Sequence, residues 1–382
     1  MRSAFLPLTA ALAPLALIAA PGHAVENVLV TGTYSPAPEL TASVSVLDSA
    51  RIQALNKRNL AGLLRTLPGV LVEEQGGPGG LTAVSIRGGE ANFTRVLLDG
   101  VPINDPTNFR GGGFDFADLN SSLVDRIEVV RGPQSAIYGS GGLAGVINVI
   151  TRRPERGHRQ EIRAEAGEDD FYDVGLTALG NTEQLEYTLE LARRDDGDPV
   201  PGSERESDSA NLRLGWQPLD DHPFSAGFRY LDGDRTSYPE QSVGPGLAES
   251  DDLDESDYDE QLVSLGWTAD LAGYWRSELR GSRFERDEDY SSPGILPYTQ
   301  VPPNGAETEF TRDELQWINT FQQGDDYRFN LGIDYRDEEG DSRGYVEFFG
   351  DRLPTDFELD RDTTGLFAGV SASPVQALLL QG

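Results

Sequence analysis

The second half of the chain alternates apolar and polar residues with a period of two. In "YRFNLGIDYR", Tyr327, Phe329 and Leu331 share one face, and Arg328 and Asn330 share the other. Side chains of a β-strand point alternately to opposite faces, so this pattern predicts strands whose two faces meet different surroundings. A soluble sandwich with one wet face would also show it. Aromatic residues near the strand ends favour a transmembrane barrel instead.

The connections between the predicted strands alternate between short and long. The ten predicted strands lie at 160–167, 171–180, 184–194, 208–217, 223–232, 257–269, 274–286, 309–322, 326–338 and 357–373. The short links are 168–170, 181–183, 218–222, 270–273 and 323–325. The long links are 195–207, 233–256, 287–308 and 339–356. Apart from the first link, this rhythm places short turns on one rim and long loops on the other, as in outer-membrane barrels.

The first 24 residues have the features of a secretory signal peptide. Arg2 precedes an apolar run from Ala4 to Ala20, and Gly22 and Ala24 are the small residues that a cleavage site needs. A membrane-spanning helix needs about 20 continuous apolar residues, and this run is interrupted. No later stretch is apolar enough to span a bilayer as a helix, so a membrane form would have to be a closed barrel.

The acidic residues are concentrated in the second half of the chain. The net charge is −33, and residues 25–150 contribute −3 while residues 151–382 contribute −31. This break predicts two domains, and the acidic surface excludes nucleic acid as a partner. The chain has no cysteine, and its three scattered histidines, His23, His158 and His222, form no metal motif.

The first domain has a mixed α/β pattern. Leu60, Leu63, Leu64 and Leu67 draw one apolar helical face that stops at a Pro-Gly pair. The pair Asp99-Gly100 between two apolar runs predicts a tight hairpin turn. Further strands are predicted at 126–131 and 145–151.

A glycine cluster at 139–144 fits the spacing G-x-G-x-x-A of a dinucleotide-binding turn. Such a turn must open a helix, but the following "GVINVIT" alternates as a strand does. We therefore interpret the cluster as a tight link in which glycine lets backbone pass close to backbone. A nucleotide-dependent enzyme lacks any further support, because no nucleophile with a base and no phosphate loop is present, and we expect no enzymatic activity.

Four stretches resemble TonB-dependent outer-membrane receptors: "ENVLVTGT", "LLRTLPGVLVE", "SIRGGEANFTRVLLDGVPIN" and "RIEVVRGPQSAIYGSGGLAGVINVITRRP". The first domain looks most similar to the cobalamin-receptor branch. The resemblance implies a mixed α/β plug domain followed by an antiparallel transmembrane β-barrel of about 22 strands. Because about ten strands cannot enclose such a plug, we expect either a fragment of a longer product or a truncated chain.

The resemblance also implies four segments: a signal peptide at 1–24, a TonB box and linker at 25–40, the plug at 41–155 and the first part of the barrel at 156–382. The box residues would be Glu26, Asn27, Val28, Leu29, Val30, Thr31 and Gly32. This run of β-forming residues can add as a strand to the sheet edge of TonB, which relays energy from the inner-membrane complex. A disordered leader is the alternative.

Plug residues of two kinds are singled out by the same resemblance. Arg87 and Arg131 match the "IRG" and "VRG" motifs, whose arginines meet barrel-wall glutamates in the family, and Glu128 lies beside them in a possible charge lock. These residues could equally form a solvated face. The candidate ligand contacts in the glycine-rich loops, which could also be mere flexible turns, are Gln75, Asn92, Phe93, Asn104, Asp105 and Phe109.

The segment "ESDDLDESDYDE" at 249–260 is a candidate calcium loop. Its aspartates Asp251, Asp252, Asp254, Asp257 and Asp259 are hard oxygen donors, although they do not follow EF-hand spacing. A solvated acidic loop is the alternative, and no other cofactor is expected.

Together these observations predict a receptor in the Gram-negative outer membrane that imports a scarce solute with energy relayed by TonB. Its partners would be TonB, a small-molecule ligand and outer-membrane lipid. An iron chelate, cobalamin or a glycan could be the solute. The alternative is a passive porin or surface-binding protein that shares the barrel but lacks energy coupling.

Overall fold

The computed structural model describes residues 43–74, 79–108, 112–133, 140–154, 157–219, 221–239, 252–295, 301–324, 327–375 and 378–381. Residues 43–154 form a small α/β domain, and the remainder forms one large antiparallel sheet. We call the first part the plug and the large sheet the wall. Among the described residues, no helix is long and apolar enough to cross a membrane.

The plug is built on a five-stranded sheet with the order β1-β6-β7-β4-β5. Its strands are β1 (Ser43–Leu47), β4 (Thr94–Leu98), β5 (Val101–Pro102), β6 (Val124–Arg131) and β7 (Gly145–Thr151). The separate hairpin pairs β2 (Val70–Glu74) with β3 (Thr82–Ile86). Only β4 and β7 run parallel, and β1 lies at the edge of the sheet.

Two short helices begin at side-chain caps. Helix α1 (Ser49–Leu55) follows Asp48, whose carboxylate accepts a 2.8 Å hydrogen bond from the Arg51 amide. Helix α2 (Leu60–Leu64) follows Asn59, which caps the Gly62 amide at 3.0 Å. The predicted apolar face is confirmed, because Leu60, Leu63 and Leu64 of this helix are buried, as is Leu67 just beyond its end.

Two predicted glycine features of the plug are also confirmed. Asp99 and Gly100 have φ values of +49° and +83° and join β4 to β5, as a tight hairpin turn requires. Gly145 begins β7, and an added Cβ there would meet the Val130 carbonyl and, at 2.9 Å, Ile86 Cδ1. The glycine cluster therefore does lead into a strand and allows close backbone approach.

The wall has twelve antiparallel strands in the order β8 to β16, then β18 and β19, with β17 paired to β16. They are β8 (Gly157–Ala166), β9 (Tyr172–Asn181), β10 (Leu185–Asp195), β11 (Arg205–Trp216), β12 (Phe224–Ser237), β13 (Asp254–Ala272), β14 (Trp275–Ser292), β15 (Asn304–Gln323), β16 (Tyr327–Phe348), β17 (Asp351–Pro354), β18 (Phe357–Val375) and β19 (Leu378–Gln381). The ten predicted strands are all present in order. β11 to β16 extend into the predicted long links. The pattern missed the extensions of β13, β14 and β15 because these strand ends are mostly polar, so that little alternation marks them.

The outward face of the wall is apolar near the short-turn rim. Leu265, Leu315, Leu331 and Leu366 are 52–80% exposed there. A soluble sandwich would bury such a face, whereas a lipid-facing barrel surface keeps it on the outside.

Nearer the long-loop rim, the outward face becomes acidic. Cross-strand pairing aligns one outward carboxylate on each of seven neighbouring strands, β11 to β16 and β18. This acidic row consists of Asp208, Asp232, Asp259, Asp287, Glu309, Asp341 and Glu358. Like charges that lie directly opposite each other destabilise a sheet.

Replacing Asp259 by asparagine should stabilise the chain, because it removes the repulsion from Asp232 and Asp287 on both sides. We expect a gain of about 0.2–1 kcal/mol at low salt that shrinks in about 1 M salt, where screening acts over a few ångströms. Thermal unfolding in detergent at the two salt concentrations measures this. Asp313→Asn is the control, because Asp313 pairs with Arg283 at 2.9 Å. Equal stabilisation by both variants would contradict the explanation.

Candidate functional site: the plug–wall interface

The plug and the wall share one hydrophobic core. Leu262, Phe284 and Phe310 project inward from β13, β14 and β15 and belong to the same buried cluster as the plug leucines. The Phe284 and Phe310 rings lie 6.2 Å apart in an edge-on arrangement. The plug therefore packs against the wall through a common apolar core.

A buried charged cluster joins the plug to the wall near the long-loop rim. Asp115 precedes the 3-10 helix Phe116–Asp118, and its Oδ1 accepts hydrogen bonds of 3.1 Å from the amides of Thr82 and Ala117. Its Oδ2 accepts a 3.1 Å bond from Arg205 Nη2 and another from Arg235 Nη1. One plug carboxylate thus binds two wall arginines from neighbouring strands.

Asp118 completes this group, which we call the Asp115 cluster: Asp115, Asp118, Arg205, Arg235 and Tyr258. Asp118 Oδ1 accepts a 2.6 Å bond from Arg205 Nη1 and a 2.8 Å bond from the Tyr258 hydroxyl. The carboxyl and guanidinium side chains are only 3–4% exposed. Buried charges of this kind are tolerated only when each has partners.

The two carboxyl groups of the cluster have different proton affinities. Burial alone would raise the pKa of Asp115, but Arg205 and Arg235 outweigh it and hold the pKa below its usual value. Burial raises the pKa of Asp118, and Arg205 does not fully offset this while Asp115 adds repulsion. Asp115 is therefore the anionic anchor of the cluster.

Other wall arginines bind plug backbone. Arg312, which is 1% exposed, donates to Glu338 at 2.8 Å and to the Asn104 carbonyl at 2.7 Å. Nearer the short-turn rim, Arg280 Nη1 lies 3.3 Å from the Gly100 carbonyl. Most of these polar contacts therefore join wall cations to plug oxygens, although plug Arg58 and Arg152 pair with wall Glu165 and Glu161 at 2.6 and 2.8 Å.

This polarity is the reverse of the predicted charge lock. Arg131 donates to Ser45 Oγ within the plug at 2.8 Å, and its side chain lies beside that of Arg87. Glu128 is fully buried and accepts a 2.7 Å bond from Arg126. Within the described part of the chain, neither Arg87 nor Arg131 forms an ion pair with a wall strand, so the lock stays a prediction.

The predicted ligand contacts lie in different surroundings. Asn104 supports the plug itself, because its side chain accepts from the Val96 amide at 2.7 Å and donates to the Thr94 carbonyl. Asp105 is buried and accepts a 2.6 Å hydrogen bond from Thr107 Oγ1, and burial raises the pKa of its carboxyl group.

Asn92 and Phe93 remain as surface candidates for ligand contact. Both belong to the 3-10 helix Ala91–Phe93, and 36% of Phe93 is exposed. Gln75, Phe109 and the TonB box at 26–32 lie outside the described residues. All of these assignments stay predictions.

The candidate calcium residues do not lie in one loop. Asp254, Asp257 and Asp259 lie on β13, and Asp257 and Asp259 face outward beside Asp289 and Asp287 of β14. Asp252 precedes the strand, and Asp251 lies outside the described residues. In the described ranges, no group of three or more histidine, cysteine or acidic residues is arranged to hold a metal. Calcium binding stays a prediction.

The Asp115 cluster was not predicted from the sequence. A signal was available, because Arg205, Arg229, Arg235 and Arg312 all lie at inward positions, opposite the lipid-facing ones. An arginine on the inner face of a barrel strand needs an oxygen partner inside the barrel. The sequence cannot say which plug residue supplies it.

Comparison with known proteins agrees with this architecture. Residues 36–146 match the family model described as TonB-dependent Receptor Plug Domain. The Vitamin B12 transporter BtuB of Vibrio cholerae is 28% identical over 368 residues, which cover 93% of this chain and 56% of that protein. The Vitamin B12 transporter BtuB of Vibrio vulnificus is 38% identical over 139 residues, which cover 36% of this chain and 22% of that protein.

Solved structures show the same fold. The ferripyoverdine receptor of Pseudomonas aeruginosa bound to ferripyoverdine has a TM-score of 0.75 at 17% identity, covering 92% of this chain and 52% of that chain. The chain spans about half the length of the relatives that it matches along most of its own length. These relatives are transporters and receptors, and TonB-dependent receptors are outer-membrane proteins. The family match of its plug, its antiparallel wall and its similarity to cobalamin transporters together support a TonB-dependent receptor.

Proposed function

We propose that this protein imports a scarce small solute across the outer membrane with energy relayed by TonB. The observation that carries the proposal is the plug itself, which is attached to the wall through the buried Asp115 cluster. We expect a solute to pass only when these contacts loosen, because the Asp115 cluster and a shared apolar core hold the plug against the wall. Loosening a buried ionic interface costs several kcal/mol, so an energy source is required.

The energy would enter through the segment that precedes β1. Residues 26–32 would add as a strand to a sheet edge of TonB, which needs only backbone hydrogen bonds. β1 is the edge strand of the plug sheet and pairs antiparallel with β6 from Ser43 to Leu47. A pull on the preceding segment would therefore act first on the backbone hydrogen bonds between β1 and β6.

The relatives, and not the described pockets, support a proposal for the solute class. A vitamin B12 transporter matches most of the chain in sequence, and a ferripyoverdine receptor and a copper transporter share its fold. We propose a cobalamin or a metal chelate as the solute, with Asn92 and Phe93 among its contacts on the plug surface.

Replacing Leu29 by proline should abolish uptake and leave solute binding intact. Proline removes a backbone donor and fixes φ, which prevents the segment from pairing with a partner strand. Uptake and surface binding of radiolabelled cyanocobalamin and of a ferric siderophore, measured in cells that express the protein, separate the two steps. Val28→Ile is the control, because it keeps the β-forming character. Undiminished uptake by the proline variant would remove the energy-coupling role from this segment.

Replacing Asp115 by asparagine should lower the free energy of unfolding by about 1–3 kcal/mol, because two buried arginines each lose one of their two carboxylate partners. Arg205 keeps Asp118, and Arg235 keeps Glu288. The pKa of Asp115 is held below its usual value, so its stabilisation is present above about pH 4 and fades as the pH falls further. Urea unfolding at pH 7 and at pH 3 measures the difference between the variant and the wild-type chain.

The matched control for this test is Asp125→Asn. Asp125 is also a plug aspartate, but 40% of its side chain is exposed and its contact with Arg126 is 4.0 Å long. We expect less than about 0.5 kcal/mol from this change. If both variants lost the same stability, or if the effect of Asp115→Asn did not diminish at pH 3, Asp115 would not be an anionic anchor.

A further inference from the structure

The buried side chain of Arg95 has a hydrogen-bonding edge that nothing in the described chain fills. Arg95 lies on β4 in the plug and is 5% exposed. Its Nε and Nη2 atoms are both buried, and neither has a hydrogen-bond partner among the described residues. These two nitrogens form the side of the guanidinium group that binds both oxygens of a carboxylate or phosphate.

The nearest carboxylates are already bound to other arginines. Glu314 Oε1 lies 3.6 Å from Arg95 Nη2, which is too long for a hydrogen bond. The same oxygen accepts a hydrogen bond from Arg336 Nε. Glu338, the next carboxylate along the wall, accepts a 2.8 Å bond from Arg312. Neither glutamate therefore completes the coordination of Arg95.

Two arginines and two glutamates surround Arg95. Burial lowers the pKa of the Arg95 guanidinium well below its usual value, and the neighbouring Arg312 and Arg336 lower it further. Glu314 and Glu338 raise it but do not compensate. A guanidinium group nevertheless stays charged near neutral pH, so it needs an anionic partner when it is buried.

Arg95 lies on the boundary between plug and wall. It lies closer to the short-turn rim than the plug loop that contains Asn104. On β15, Arg312 binds the Asn104 carbonyl, and Glu314 lies one inward position closer to the short-turn rim. Gly141 covers another side of Arg95, where an added Cβ would lie 3.4 Å from Nη1. The glycine turn therefore packs against Nη1, and the unfilled edge is formed by the other two nitrogens.

We propose that Arg95 binds an oxyanion, a carboxylate or phosphate group, at the boundary between plug and wall. The oxyanion is either a small resident anion or an anionic group of the imported solute. The second source rests on the import function proposed above and would place Arg95 on the route of an anionic solute. Binding at the site does not itself depend on import.

The test uses the full chain folded in detergent, with inorganic phosphate and acetate as probes and chloride as the reference at constant ionic strength. For the wild-type chain, the thermal midpoint should rise with phosphate or acetate and saturate. Arg95→Gln should remove this response. Arg95→Lys should weaken the apparent affinity about tenfold, because an ammonium group lacks the paired donors. It also provides the comparison if the glutamine variant does not fold.

Arg58→Gln is the matched control, because Arg58 is an exposed plug arginine that pairs with Glu165. It should keep the full response to phosphate. An equal response in the wild-type chain and in both Arg95 variants would overturn the proposal.

The source of the anion is distinguished by a second measurement. Ion chromatography after denaturation should release about one anion per wild-type chain if the anion is resident, and less from Arg95→Gln. If none is released but added phosphate stabilises the wild-type chain through Arg95, the site is open to an anionic group of the solute. Absence of any Arg95-dependent anion in both measurements would exclude the site. Neither measurement requires uptake, so a failure of the import function would be seen separately.

Discussion

Arg205, Arg235 and Arg312 project from the wall into a space that the plug fills, and each must find oxygen atoms there. Water has little access to them, because their side chains are only 1–3% exposed. The plug supplies Asp115, Asp118 and backbone carbonyls at the required positions. The position of the plug is thus set by the need to pair these inward arginines of the wall. The polar contacts specify an orientation that apolar packing alone would leave open.

The two faces of each wall strand lie in different surroundings. The side chains of the inward face find their partners in the plug. The outward face changes from apolar to acidic along the length of the strand. Leu265 and Leu315 lie in the apolar part, and Asp259 and Glu309 lie in the acidic row. The change marks the level at which a lipid-facing surface gives way to an aqueous, ion-rich one. Much of the negative charge of the chain is therefore carried on the outside of the wall.

The period of two along the chain is enough to predict ten of the twelve wall strands and their order, because the two faces differ in polarity along most of each strand; the short strands β17 and β19 were missed. The alternation does not predict the strand ends at the long-loop rim. There β14 extends to Ser292 and β15 begins at Asn304, and both faces are mostly polar. The Asp99-Gly100 turn was predictable because its positive φ values demand particular residues. The Asp115 cluster was not, since its partners are about 90–120 residues apart and local spacing contains no information about them.

A plug that must move needs contacts of two kinds. Apolar contacts such as those of Phe284 and Phe310 resist separation in every direction. Water that replaces these contacts does not stabilise the exposed rings, so the full free-energy cost of separation remains. Ionic contacts behave differently, because the carboxylate of Asp115 and the guanidinium of Arg235 are each well solvated once water reaches them. Entry of water along the interface therefore lowers the cost of separating the charged cluster much more than it lowers the cost of separating the core. A force applied at β1 would then have to supply the cost of opening the apolar part and a reduced cost for the charged cluster, because hydration of the arginines offsets part of their separation.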